Sequence, residues 1–114
     1  MTSDEFRVLA LGLPDAVELP HFDRASFRIR NKIFATLAQD QGLACLMLKP
    51  EDQDVFVAMG KDAVYPVPNK WGQGGATYIH LEMANDTLLK DALLCAYNHK
   101  ASQTCPKRFS SLRV

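Results

Sequence analysis

Net charge is the first thing this chain of 114 residues lacks, because thirteen lysines and arginines balance thirteen aspartates and glutamates. No field of the whole molecule draws in a polyanion, so any contact with nucleic acid has to come from a local patch. Also missing is an apolar run long enough to cross a bilayer. The first residues, MTSDEFRVLALG, begin polar and acidic with no basic segment before a hydrophobic one. They read neither as a signal peptide nor as a span, and the expectation is a cytoplasmic protein without a membrane partner. Cysteine is scarce: Cys45, Cys95 and Cys105 form an odd set with no CxxC pair. That excludes a disulfide framework and suits a reducing compartment. Catalytic signatures are absent too. There is no GxSxG elbow and no cysteine in a recognisable nucleophile motif, and Asp52, Asp54 and Glu82 are scattered. An enzyme is unsupported, and neither a cofactor nor a metal is called for.

What is present fits an ordinary globular protein. Hydrophobic residues make up 47% and charged residues 23%, and the length allows one domain over residues 1–114 and not two. Thr2 and Glu5 form a capping-box pattern ahead of Phe6, Leu9, Ala10 and Leu13, which predicts a first helix ended by Gly12 and Pro14. Short strands follow in VELPHF, SFRIR, KIFATL and LACLML. Within FRIRNKIF, a straight strand competes with a hairpin, and Asn31 favours the hairpin with Arg30 and Asn31 at its tip. Pro50, the acidic residues Glu51 and Asp52, and Gly60 mark a second helix. AVYPVPNKWGQGG reads as an irregular connection. ATYIHLEM then alternates, with Ile79, Leu81 and Met83 inward and Tyr78, His80 and Glu82 outward. Asn85 or Asp86 caps a last helix with Leu89, Ala92, Leu93, Ala96 and Tyr97 on one stripe. A tail from about residue 103 is expected to fray.

The fold class implied is α+β: a two-layer antiparallel meander with the N- and C-terminal helices on one face and a short helix between strands. Both phases of KIFATL and LACLML are apolar, so part of the second sheet face needs a cover. The second helix, the Trp71 loop and a partner subunit are the candidates.

Three places could carry function. NKWGQGGAT crowds three glycines behind the single tryptophan. A phosphate loop leads from a strand into a helix, whereas this one leads into a strand and lacks the required spacing, so the glycines read as turn and strand-entry geometry. Trp71 is expected to lay its ring over a sheet edge. The alternative is that Lys70 and Trp71 offer a charge and a stacking plane. Arg28, Arg30 and Lys32 form the densest basic cluster, placed where a wing would meet phosphates. The same residues suit a solvated edge that resists strand pairing. Cys95 and His99 sit four apart on one helix but have no second pair to complete a metal site, and they read as a core filler and a helix-end residue.

Taken in order, ALGLPDAVE, His21, FRIRNKIFATL, LMLKPEDQ, YPVPNKWGQGGAT and AYNHKA resemble the MmcQ/YjbR family of small bacterial proteins over nearly the whole chain. Lys32-Ile33-Phe34-Ala35, Lys49-Pro50-Glu51 and Lys70-Trp71-Gly72 with Gly75 and Thr77 carry the resemblance, while Asn31 departs from the glycine common in relatives. The resemblance implies a frataxin-like or secretion-chaperone-like outline. It also implies a double-wing mode of DNA binding, mapped here onto Arg28, Arg30, Lys32, Lys70 and Trp71. Two alternatives stand beside it. One is an adaptor module or homodimer using the apolar sheet face. The other is a small-molecule binder near Trp71 with Tyr65, Tyr78, His80 and Lys70.

Overall fold

Thr2 starts the first helix as its pattern requires. Its hydroxyl accepts the Glu5 amide at 3.1 Å while its own amide donates to Glu5 Oε1 at 2.8 Å, so two otherwise orphaned donors are satisfied together. The computed structural model describes residues 1–104, with side chains as far as residue 101. Cys105, Lys107, Arg108 and the rest of the tail lie outside the described residues. In chain order the elements are α1 (Ser3–Leu11), β1 (Ala16–His21), β2 (Arg24–Ile29), β3 (Lys32–Ala38), β4 (Leu43–Met47), α2 (Pro50–Gly60), β5 (Val64–Pro66), α3 (Lys70–Gln73), β6 (Ala76–His80) and α4 (Asp86–Thr104).

The six strands form one antiparallel sheet in the order β1-β2-β3-β4-β6-β5. The first four make the expected meander. Arg30 and Asn31 both take positive φ, 50° and 70°, which is the backbone of a two-residue hairpin turn whose twist matches the flanking strands. The hairpin reading therefore holds over the straight strand. A register shift opposite the Phe27–Arg28 step leaves Phe34 as an extra residue in β3, which bends β3 and lets Phe27, Ile29 and Phe34 all reach the core. The edge strands β1 and β5 carry Pro20 and Pro66, as edges commonly do.

The helices share one face. Phe6 from α1 meets Phe27 edge to face at 5.8 Å, and Tyr97 from α4 meets Phe34 the same way at 5.5 Å. Phe6, Phe27 and Phe34 are fully buried; each ring removes apolar area equivalent to about 2–3 kcal/mol. Tyr97 Oη also donates to the Pro14 carbonyl at 2.6 Å, tying the last helix to the turn after the first. Asn85 caps α4, its Oδ1 accepting from Thr87 at 2.8 Å.

Three expectations need correction. AVYPVPNKWGQGG is not irregular throughout, since it holds β5 and the single-turn α3. Met83 is exposed because β6 ends at His80 and the chain turns before α4. The second helix does not cover the far sheet face. α2 packs beside α4 in the helical layer, where Phe56 joins the same core.

Candidate nucleic-acid interface

The face of the sheet turned away from the helices is built from the alternate residues Ser26, Thr36, Cys45 and Tyr78, which lie in one cross-strand row. Ser26 Oγ donates to the Leu19 carbonyl at 2.8 Å and accepts from Arg28 Nε at 3.0 Å. Arg28 is thereby laid across this face. Burial, its largest influence, pushes the Cys45 thiol above its ordinary range, against the field of Arg24. The thiol is a neutral floor for the face and not a nucleophile. Farther along, Tyr65 and His80 share a hydrogen bond of 2.9 Å, and Tyr65 packs on Tyr78 with ring centroids 5.7 Å apart. The three rings of the small-molecule alternative are thus one cluster.

Over this face the segment after β5 makes a bracket, and its glycines are explained by contact. Gly72 lies against Val67, where a Cβ would overlap the Val67 carbonyl oxygen. Gly75 has φ 111° and presses on the Leu48 carbonyl, again with no room for a Cβ. Gln53, buried on α2, holds the bracket from behind: its Nε2 donates to the Gly72 carbonyl at 2.9 Å, the Ala76 carbonyl at 3.0 Å and Thr77 Oγ1 at 3.1 Å. Asn69 closes the front at φ 78°, its Oδ1 accepting from the Trp71 amide at 3.0 Å. With its backbone pinned in this way, Trp71 projects outward and is 71% exposed. The expected packing of the indole over a sheet edge is not what the structure has. The ring instead walls a groove of about 430 Å³.

Phe22, which neither alternation nor turn propensity singled out, borders the groove at the end of the sheet away from Trp71. It sits at the β1–β2 turn with φ 60° and is 95% exposed. A bulky residue is disfavoured in that conformation, where glycine is the usual occupant. Arg24, also missed, lines the groove beside it; its partner is the exposed Asp23 at 3.8 Å. No sequence signal marks either residue, because both reach the groove only through strand pairing that is distant in sequence.

The five residues expected to contact nucleic acid lie toward one end of the sheet. Strand register places the Arg30–Asn31 turn at the end where β4 finishes and β6 begins, and α3 with Lys70 and Trp71 leads into β6 there. Arg28 is half-buried on the open face, while Arg30, Lys32 and Lys70 are exposed. Lys32 and Arg30 also face α4: Lys32 adds to the burial that lowers the Lys100 amine, and Arg30 opposes the burial and Asp15 charge that raise the Tyr97 phenol. Among the described residues no carboxylate forms an ion pair with Arg28, Lys32 or Lys70. Cys95 and His99 point toward the start of α2, near Lys49 and Asp52. No cluster of three or more metal-ligating side chains occurs among the described residues.

Compared with known families, residues 11–99 match the YjbR family model. The chain belongs to the YjbR family. Among solved structures, a Deinococcus radiodurans protein with a DUF419 domain superposes with a TM-score of 0.71 at 18% identity, covering 84% of this chain and 75% of that one. A Pseudomonas syringae protein superposes with a TM-score of 0.65 at 16% identity, covering 88% of this chain and 99% of the other. At such identities the likeness concerns the fold alone. No curated protein matches the sequence. Among the described residues no helix of this YjbR domain is long and apolar enough to cross a membrane.

Proposed function

We propose that this YjbR domain binds DNA in single-stranded form across its open sheet face. The observation that carries the reading is an indole 71% exposed on a sheet face the helices leave bare, at the same end of the sheet as the Arg30–Asn31 hairpin. An exposed aromatic plane stacks an unpaired base of any identity, and cations beside it hold the backbone. Trp71 takes the base, with Arg28 and Lys70 on phosphates over the face and Arg30 and Lys32 on phosphates where the strand passes the hairpin end. A flat face without a projecting helix suits a splayed strand better than a duplex groove, which admits a helix or a β-ribbon.

The test is a titration of a labelled oligonucleotide at several salt concentrations. With four phosphate contacts the logarithm of affinity should fall with the logarithm of salt at a slope of about −3. Trp71→Ala should weaken binding by about tenfold or more, the cost of one lost stacking contact. Lys70→Gln should lower the salt slope while leaving base preference unchanged. Absence of binding at about 20 mM salt, where counterion release most favours association, would refute the reading. Equal affinity for duplex and single strand would remove the role given to Trp71.

A further inference from the structure

Phe22 is displayed at the expense of its own backbone. It is the first of the two residues in the β1–β2 turn, and it alone of the pair has positive φ, 60°. That is the pattern of a type II′ turn, whose first central position glycine usually holds. The phenylalanine gains no core packing in return, being 95% exposed, and its ring meets His21 edge to face at 4.8 Å. Strain of this kind clusters at positions that contact a ligand.

His21, Phe22 and Arg24 border the groove at one end, and Trp71 borders it at the other. Ala25, Leu37, Ala44 and Ile79 form one row across β2, β3, β4 and β6, so the Phe22 turn lies level with the last residues of β6, whereas Trp71 precedes its first. Three strand spacings across and the length of β6 along put the two corners roughly 20 Å apart. Arg24 lies between them: its field reaches the Cys45 thiol, two strands away. Its exposed partner Asp23 stands at 3.8 Å, beyond a good hydrogen bond, so the fork is open to an anion that it can grip with two donors.

Two exposed rings too far apart for one base, with a cation between them, fit one strand that reaches both. At ~3.4 Å per nucleotide in a stacked strand, about six nucleotides cover the distance, and fewer when the strand is drawn out. Resting on the single-strand reading, we propose that Phe22 is a second base-stacking point and that the DNA crosses the open face diagonally. One base lies on Trp71, another several nucleotides along lies on Phe22, and Arg24 meets a phosphate between them.

Because Trp71 is the single tryptophan, its emission reports the near corner for an oligothymidylate of any length. Affinity should rise steeply up to about six nucleotides and slowly beyond. Phe22→Ala should weaken a nonamer about tenfold or more, the loss of one stacked base, and leave a trimer unchanged. Trp71→Ala, followed with a labelled strand, should weaken both. Arg24→Gln should lower the nonamer's salt slope by about 0.7. Phe22→Gly separates display from structure: glycine suits the turn, so the melting temperature should hold or rise while nonamer binding falls. If oligonucleotides bind with the stated dependence on Trp71 but Phe22→Ala costs the nonamer nothing, or costs nonamer and trimer alike, the second stacking point is wrong and the single-strand reading stands. A lowered melting temperature in Phe22→Gly would also overturn it, since Phe22 would then serve the fold. If no length of strand binds at about 20 mM salt, both readings fall.

Discussion

Gln53 is the residue on which the site's geometry turns. One amide nitrogen serves two carbonyls and a hydroxyl, all of them cut off from water behind the bracket that carries Trp71. Gln53→Ala takes one donor from each group: the Gly72 and Ala76 carbonyls keep the Gly75 and Val67 amides, but Thr77 Oγ1 loses the donor it accepts from, and a buried polar group losing its partner costs about 1–3 kcal/mol. Urea unfolding should show that loss. It should also show that Trp71 emission changes before the global transition, because the bracket loosens first. A variant with wild-type stability and a single coincident transition would mean that Gln53 holds nothing. Gly75 and Gly72 act beside it in a different way, by having no side chain at places where two stretches of backbone touch. Nothing in the local spacing of NKWGQGGAT distinguishes a glycine that turns the chain from one that admits a neighbouring carbonyl. The entry of the segment into a strand was legible there, and the outward display of Trp71 was not.

At the level of elements, the sequence pattern was informative wherever one local rule acted alone. Capping-box chemistry placed α1, period-two alternation placed the strands, and Asn31 at a tolerated positive φ placed the hairpin. It was poor where distant contacts decide. β5 spans three residues and includes a proline, too short for any periodicity. The apolar character of both phases in β3 and β4 called for a cover on the second face, and α2, one of the candidates, does not supply it because it packs beside α4 in the helical layer. The packing of α2 against α4 has its own consequence for acid stability. His99 on α4 has its pKa lowered below the ordinary 6.5, by burial first and then by the cations Lys100 and Lys49, with Asp52 and Glu51 opposing. A depressed imidazole favours the neutral form in the folded state. Its contribution to stability is full above pH about 6.5 and is lost as pH falls through the lowered value. His99→Gln should therefore flatten the stability profile below pH about 6.5 in denaturant titrations. An unchanged acid limb would count against the burial of this ring in the fold.

Seen as a whole, the molecule has one finished face and one bare one. The helical layer seals the core, while the open face mixes Trp71, Phe22 and Tyr78 with Arg24 and Arg28. We expect that mixture to disfavour self-association through the same patch. In a two-fold dimer each patch meets its own copy, which would press arginine toward arginine while removing both from water. Sedimentation should give a monomer across the micromolar range, with Trp71 open to a neutral quencher such as acrylamide. A dimer that shields Trp71 from acrylamide would favour the adaptor alternative and withdraw the face from DNA.

The prolines in β1 and β5 give the sheet closed borders. Extended peptides that would dock by adding themselves as a seventh strand meet, at either margin, a residue with no amide hydrogen to offer. Recruitment alongside the sheet is thus discouraged at both flanks, and a visitor is directed to lie crosswise over it. The fold chooses the direction of approach before any side chain chooses the guest.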